Sequence, residues 1–114
     1  MKILQQQLNA LRQMLVERAN RNLADYARRR FPQQFEARSF EEIFALISRV
    51  RAAANGHGIE REDDVATFLD LTVMYGADFD RSTWAREVIT ASTLHGPDKM
   101  AVLRHLVTRA GATL

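Results

Sequence analysis

The side chains able to do chemistry in this chain are few, and none of them keeps suitable company. There is no cysteine, which removes thiolate metal sites, cysteine nucleophiles and disulfides together. The three histidines are His57, His95 and His105. Acid–base work needs a histidine within reach of a second titratable group, and His57, between Gly56 and Gly58, has no second His, Cys or suitably spaced carboxylate beside it in sequence. His95 precedes a turn, and His105 lies near an apolar stripe, where a half-buried packing role is the simpler reading. Asp78-Phe79-Asp80-Arg81-Ser82 places oxygen groups at alternate positions, as a calcium loop does. Counted from Asp78, however, the sixth residue is Thr83 rather than glycine and the twelfth is Ile89 rather than a bidentate glutamate. Glu60, Glu62, Asp63 and Asp64 crowd what reads as a helix start, where main-chain amides and the helix dipole favour negative charge without any catalytic role. No nucleophile elbow, H-E-x-x-H or phosphate-cradling glycine loop is present. The expectation is a non-enzymatic protein with no catalytic residue, no metal and no cofactor.

Binding chemistry is left. The net charge is only +2, built from 14 arginines and 2 lysines against 14 acids, and it is unevenly spread. Residues 1–54 carry 10 basic and 5 acidic groups, whereas residues 55–114 carry 6 and 9. A dipolar surface of this kind favours an oriented protein partner over a generic polyanion. Arg21, Arg28, Arg29 and Arg30 are the groups a nucleic-acid binder would use on phosphates. Three arginines closing a helix equally suit the negative end of its dipole, so nucleic acid is the weaker alternative.

The elements that would position these groups are helices. Residues 3 to about 30 read as one long helix, with Leu4, Leu8, Leu11, Leu15, Ala19, Leu23 and Tyr26 spaced by three and four along one stripe. Such a helix spans some 40 Å at about 1.5 Å per residue, more than a domain of this size requires. Two readings follow: the stripe packs on the body of the domain, or its first turns overhang and present Ile3, Leu4, Leu8 and Leu11 to a partner. Phe31-Pro32 ends the helix. Ser39-Phe40-Glu41-Glu42 is a capping box opening a second helix through Phe44 and Ile47 to about Ala54, with Asn55-Gly56 as its stop. A third helix, about 61–75, is apolar on most sides through Phe68, Leu69 and Tyr75, and so belongs at the centre, with Gly76 as its end. A fourth, from about Ser82 to Ala91, is capped by Asp80 or Ser82, with Phe79 and Trp84 buried as a hydrophobic clamp. A fifth opens at Gly96-Pro97-Asp98 and stops at Gly111.

The fold class expected is therefore all-α: a single compact bundle of about five helices over residues 1–114, with a long N-terminal helix and a buried central one. Phe44, Ile47, Phe68, Leu69, Tyr75, Phe79 and Trp84 form its expected core. The first residues hold no apolar run of signal-peptide length, and no segment approaches the roughly 18 apolar residues of a membrane span. A soluble, cytoplasmic protein without membrane association is expected.

The runs RNLADYARRRFP, GHGIEREDDV, FLDLTVMYGADFD, WAREVI and GPDKM together resemble a family of small helical bacterial proteins encoded near type VI secretion spike and polymorphic-toxin genes. The likeness covers most of the chain, although its motifs are packing motifs and the segment between Asp80 and Trp84 is shorter here than in that family. It implies an adaptor or chaperone whose partner is a secretion effector or spike component, with an immunity protein that neutralises a toxin as the alternative. The partner-binding residues expected are Ile3, Leu4, Leu8 and Leu11 on the first helix and Asp78 and Asp80 on the acidic edge. The first helix would also serve for pairing into a homo-oligomer.

Overall fold

A computed structural model describes residues 2–111 and 114, with the main chain alone for Lys2 and Ile3. The fold is all-α. Helices run α1 Lys2–Arg30, α2 Pro32–Phe35, α3 Phe40–Gly56, α4 Glu62–Tyr75, α5 Thr83–Ile89 and α6 Gly96–Arg109, with a 3-10 turn at Phe79–Arg81. The chain divides into two compact units, Met1–Ser48 and Arg49–Leu114, and α3 contributes residues to both.

In the first unit α1 packs with α2. Phe31 breaks the helix at φ −126° and ψ 62°, and Pro32 then starts one further helical turn as its first residue. Phe31-Pro32 is therefore more than the stop expected: proline needs no amide partner at a first helical position, so a new turn can begin there. Ser39 caps α3, its hydroxyl oxygen accepting the Glu42 amide at 3.2 Å. Ile43 and Ile47 are fully buried, whereas Phe44 is only half-buried, its ring tilted against Phe40 at 5.8 Å.

In the second unit α4 packs on α6, α5 packs on α6, and both α4 and α5 meet the 3-10 turn. The central position expected of α4 holds: Val65, Phe68, Leu69 and Leu71 are buried, and so are Asp64, Thr67 and Asp70. Glu62 opens α4 and grips Arg51 through two hydrogen bonds of 2.5 and 2.8 Å, tying the α4 start to the α3 end. The stop of α3 lies two residues beyond the expected Asn55-Gly56. Gly58 takes φ +78°, its amide bonds to Asn55 O, and the Ile59 amide reaches Ala54 O at 2.9 Å. This is the Schellman pattern, with Gly58 in the left-handed position and the following Ile59 fully buried.

The same turn explains Gly96. A Cβ there would lie 2.3 Å from the carbonyl oxygen of Gly58, so the start of α6 can approach the α3–α4 loop only as glycine.

The expected clamp around α5 needs correction. Phe79 is buried and meets Phe68 edge to face at 4.8 Å. Trp84 and Tyr75 are not core residues: they are 37% and 44% exposed. Phe68 and Phe79 already fill the inner positions, so Trp84 stacks on the outer side of Phe79 at 6.2 Å and meets Tyr75 edge to face at 5.3 Å. The expected cap is also different. Ser82 occupies the N-cap position, but its hydroxyl donates backwards to Phe79 O, and Asp80 is engaged elsewhere.

Candidate functional site

The largest departure from ordinary burial is on α1. Every residue from Leu4 to Arg18 is exposed, including Leu4 (57%), Leu8 (40%), Leu11 (51%) and Leu15 (54%). Ile3 belongs to the same expected surface, but its side chain lies outside the described residues. Buried positions begin only at Asn20 and recur at Leu23, Ala24 and Ala27. At 100° per residue, this packing face points about 140° around the helix from the line through Leu4, Leu8, Leu11 and Leu15. The single stripe expected from sequence is therefore two stripes. One holds α1 in its unit, and the other leaves four leucines in water. Among residues 4–16 only Arg12 is ionisable, and glutamine and asparagine fill much of the rest.

A second apolar surface lies in the Arg49–Leu114 unit. Tyr75, Trp84, Leu106, Val107 and Ala110 line an open groove of about 410 Å³. Leu106 is itself exposed, and Val107, on the next face of α6, is buried.

The acidic edge is split between two roles. Asp78 is exposed. Asp80 is half-buried and its carboxylate meets His57 Nε2 at 3.0 Å, a pairing 23 residues apart that no local motif announces. The carboxylate that the sequence did not place beside His57 is thus supplied by the 3-10 turn. Lys99, from α6, donates to the His57 main-chain oxygen at 2.9 Å and is itself buried. Lys99 was missed as a structural residue, although it stands four residues before buried Leu103 on the packing face of α6. Loop, 3-10 turn and α6 are held together by these two contacts. These contacts give His57, Asp80 and Lys99 structural roles in the second unit.

A cleft of about 530 Å³ lies between the start of α4 and the face of α6, bounded by Arg61, Asp63, Asp64, Met100, Arg104 and Thr108. Arg104 donates to Thr67 Oγ1 at 2.6 Å. Asp64 is buried; its Oδ2 has no hydrogen-bond partner among the described residues, and Arg61 Nε stands 4.0 Å away. Burial raises the Asp64 pKa above its ordinary value, reinforced by the Asp63 charge and partly offset by Arg61 and Arg104. That oxygen is closed to solvent, so the cleft does not present it to a ligand.

The four arginines of the nucleic-acid alternative do not converge. Arg21 and Arg28 are seven residues apart and share a face, whereas Arg29 and Arg30 each turn a further 100° or so around the helix. Arg28 lies over the Phe40 ring at 5.8 Å and Arg30 over the Phe31 ring at 5.4 Å. The first of these contacts links α1 to α3, and the second joins sequence neighbours.

Among the described residues no three His, Asp or Glu side chains gather as metal ligands, and no helix is long and apolar enough to cross a membrane. Comparison of the chain with protein-family models, with curated proteins and with solved structures gives no match.

Proposed function

We propose that this chain is a non-enzymatic protein-binding factor that docks an apolar helix of another protein along α1. The observation that carries this reading is the exposed line Leu4, Leu8, Leu11 and Leu15, rotated away from the face by which α1 packs. Most helical stability in proteins comes from packing of an apolar face, so a leucine-bearing stretch with no tertiary cover is stabilised further when a partner covers it. Helix-in-groove and helix-to-helix recognition use such i, i+3, i+4, i+7 anchors. The near absence of charge between Leu4 and Val16 sets the partner's chemistry: a leucine-rich helix with neutral polar flanks, selected by shape rather than by ion pairs. The resemblance noted for the sequence supplies the biological setting, an adaptor or chaperone serving a secretion effector or spike component.

The test pairs capture with stability. The tagged chain and its Leu8→Lys/Leu11→Lys variant are used as bait, the captured protein is identified, and the complex is rebuilt from purified components. The reading requires that binding be lost in the variant while its thermal midpoint stays within a few degrees of the parent. Equal binding by both baits would show that α1 is not the docking surface.

A further inference from the structure

Resting on that reading of α1, we infer that the helix which covers the leucine line is α1 of a second copy of this chain, paired antiparallel. The spacing Leu4, Leu8, Leu11, Leu15 is four, three, four, the d-a-d-a order of a heptad seam, and a seam of this period packs against a helix of the same period. An identical helix meets that condition without further adjustment, as a two-fold interface requires. In the antiparallel register Leu8 stands opposite Leu11 of the second copy and Leu4 opposite its Leu15, so each layer joins an a to a d position.

The flanks agree with self-pairing. Gln5 and Arg12 occupy the e positions and Gln7 and Met14 the g positions, so Arg12 faces Gln5 of the second copy and Gln7 faces its Met14. No like charges oppose each other in that arrangement, and a charged foreign helix would find nothing on α1 to recognise it. A parallel pair is disfavoured by the next layer. It would set Arg18 against Arg18 of the second copy at a d position, and it would bring both copies of the helical body after Asn20 to the same end of the seam. The antiparallel pair overlaps only the exposed stretch and leaves the two bodies at opposite ends.

The contact spans about 20 Å of helix at 1.5 Å per residue, which places it toward the small end of specific interfaces and makes the dimer concentration-dependent. A foreign protein carrying a matching helix then competes with the second copy for the same leucines.

Sedimentation velocity on the full chain from about one to several hundred micromolar gives the first readout. The expected result is a shift from one chain of 13.0 kDa toward two, with Leu8→Lys/Leu11→Lys remaining at one chain throughout and unfolding at the temperature of the dilute, single-chain parent. Because the chain has no cysteine, orientation is read separately by mixing Leu8→Cys and Leu11→Cys proteins under mild oxidation. A mixed disulfide in preference to either symmetric one supports the antiparallel pair; symmetric disulfides overturn it, and so does a dimer that survives the double lysine substitution. A single chain at every concentration, with seam-dependent capture of another protein retained, overturns self-pairing and leaves the docking function standing. A single chain with no seam-dependent capture removes both.

Discussion

Leu15 and Leu23 are eight residues apart on one uninterrupted helix, yet Leu15 is 54% exposed and Leu23 only 6%. The difference arises where the packing face of α1 begins, at Asn20, and it divides the helix into a structural half and an unpartnered half. An exposed leucine alone carries no meaning, since much of any protein surface is apolar. Four in a line at heptad spacing, with almost no charge among them, form a contiguous patch of the kind that marks an interaction site.

The aromatic cluster of the second unit separates cleanly by depth. Phe79→Ala should cost about 3–5 kcal/mol, because the ring is buried against Phe68 and leaves a cavity. Trp84→Ala should cost about 1–2 kcal/mol, since much of its ring already faces water and only the contacts with Phe79 and Tyr75 are lost. Urea unfolding of the two variants side by side measures the gap; equal costs would mean that Trp84 is as deeply seated as Phe79.

Lys99→Met keeps the apolar stem and volume of the side chain and removes only its donor. His57 O would then be left without the amine that now reaches it at 2.9 Å. A loss of about 1–3 kcal/mol is expected from the unpaired carbonyl. Faster amide exchange in the loop after Gly58 should accompany it, read by hydrogen–deuterium exchange. An unchanged loop would show that the Asp80–His57 contact alone suffices to hold it.

Asp64 gives the protein a pH signature. Its acid is easier to keep protonated in the folded chain than in the unfolded one, because burial and Asp63 disfavour the charge. The native state therefore binds more protons, and stability falls as pH rises from about the ordinary value of 3.8 through the raised folded value. The cost is fully present above that window and absent below it. Asp64→Asn should be more stable than the parent at neutral pH, with the advantage shrinking as pH is lowered through the window. Unfolding midpoints across a pH series test this, and an advantage independent of pH would assign it to something other than the charge.

Much of this architecture was legible because helix ends are written in local chemistry. Ser39 with Glu42, the acidic start at Glu62, Gly76 and Gly96-Pro97 each act within one turn, and their helices lie close to where those signals place them. What was not legible depends on distance. His57 and Asp80 meet across 23 residues, and Lys99 finds His57 across 42. The glycine stop moved from Gly56 to Gly58 because Ile59, the residue after it, is the apolar group that needs burial. Trp84 and Tyr75 misled for a related reason: residue type ranks how apolar a ring is, not whether smaller rings have already filled the space inside it. On α1 the three-four spacing places Leu4, Leu8, Leu11 and Leu15 on one line. That spacing cannot show that packing follows Asn20, Leu23, Ala24 and Ala27 instead, since alanines sit as easily on one face as another.

Hydrogen–deuterium exchange along α1 at low protein concentration, without a partner, tests the open seam most directly. Amides of residues 5–16 should exchange orders of magnitude faster than those of Leu23–Ala27 in the same helix, and should gain protection when the chain is concentrated or bound. Protection of residues 5–16 equal to that of the buried half in the dilute, partner-free chain would mean that the leucines are already covered, and would contradict the account.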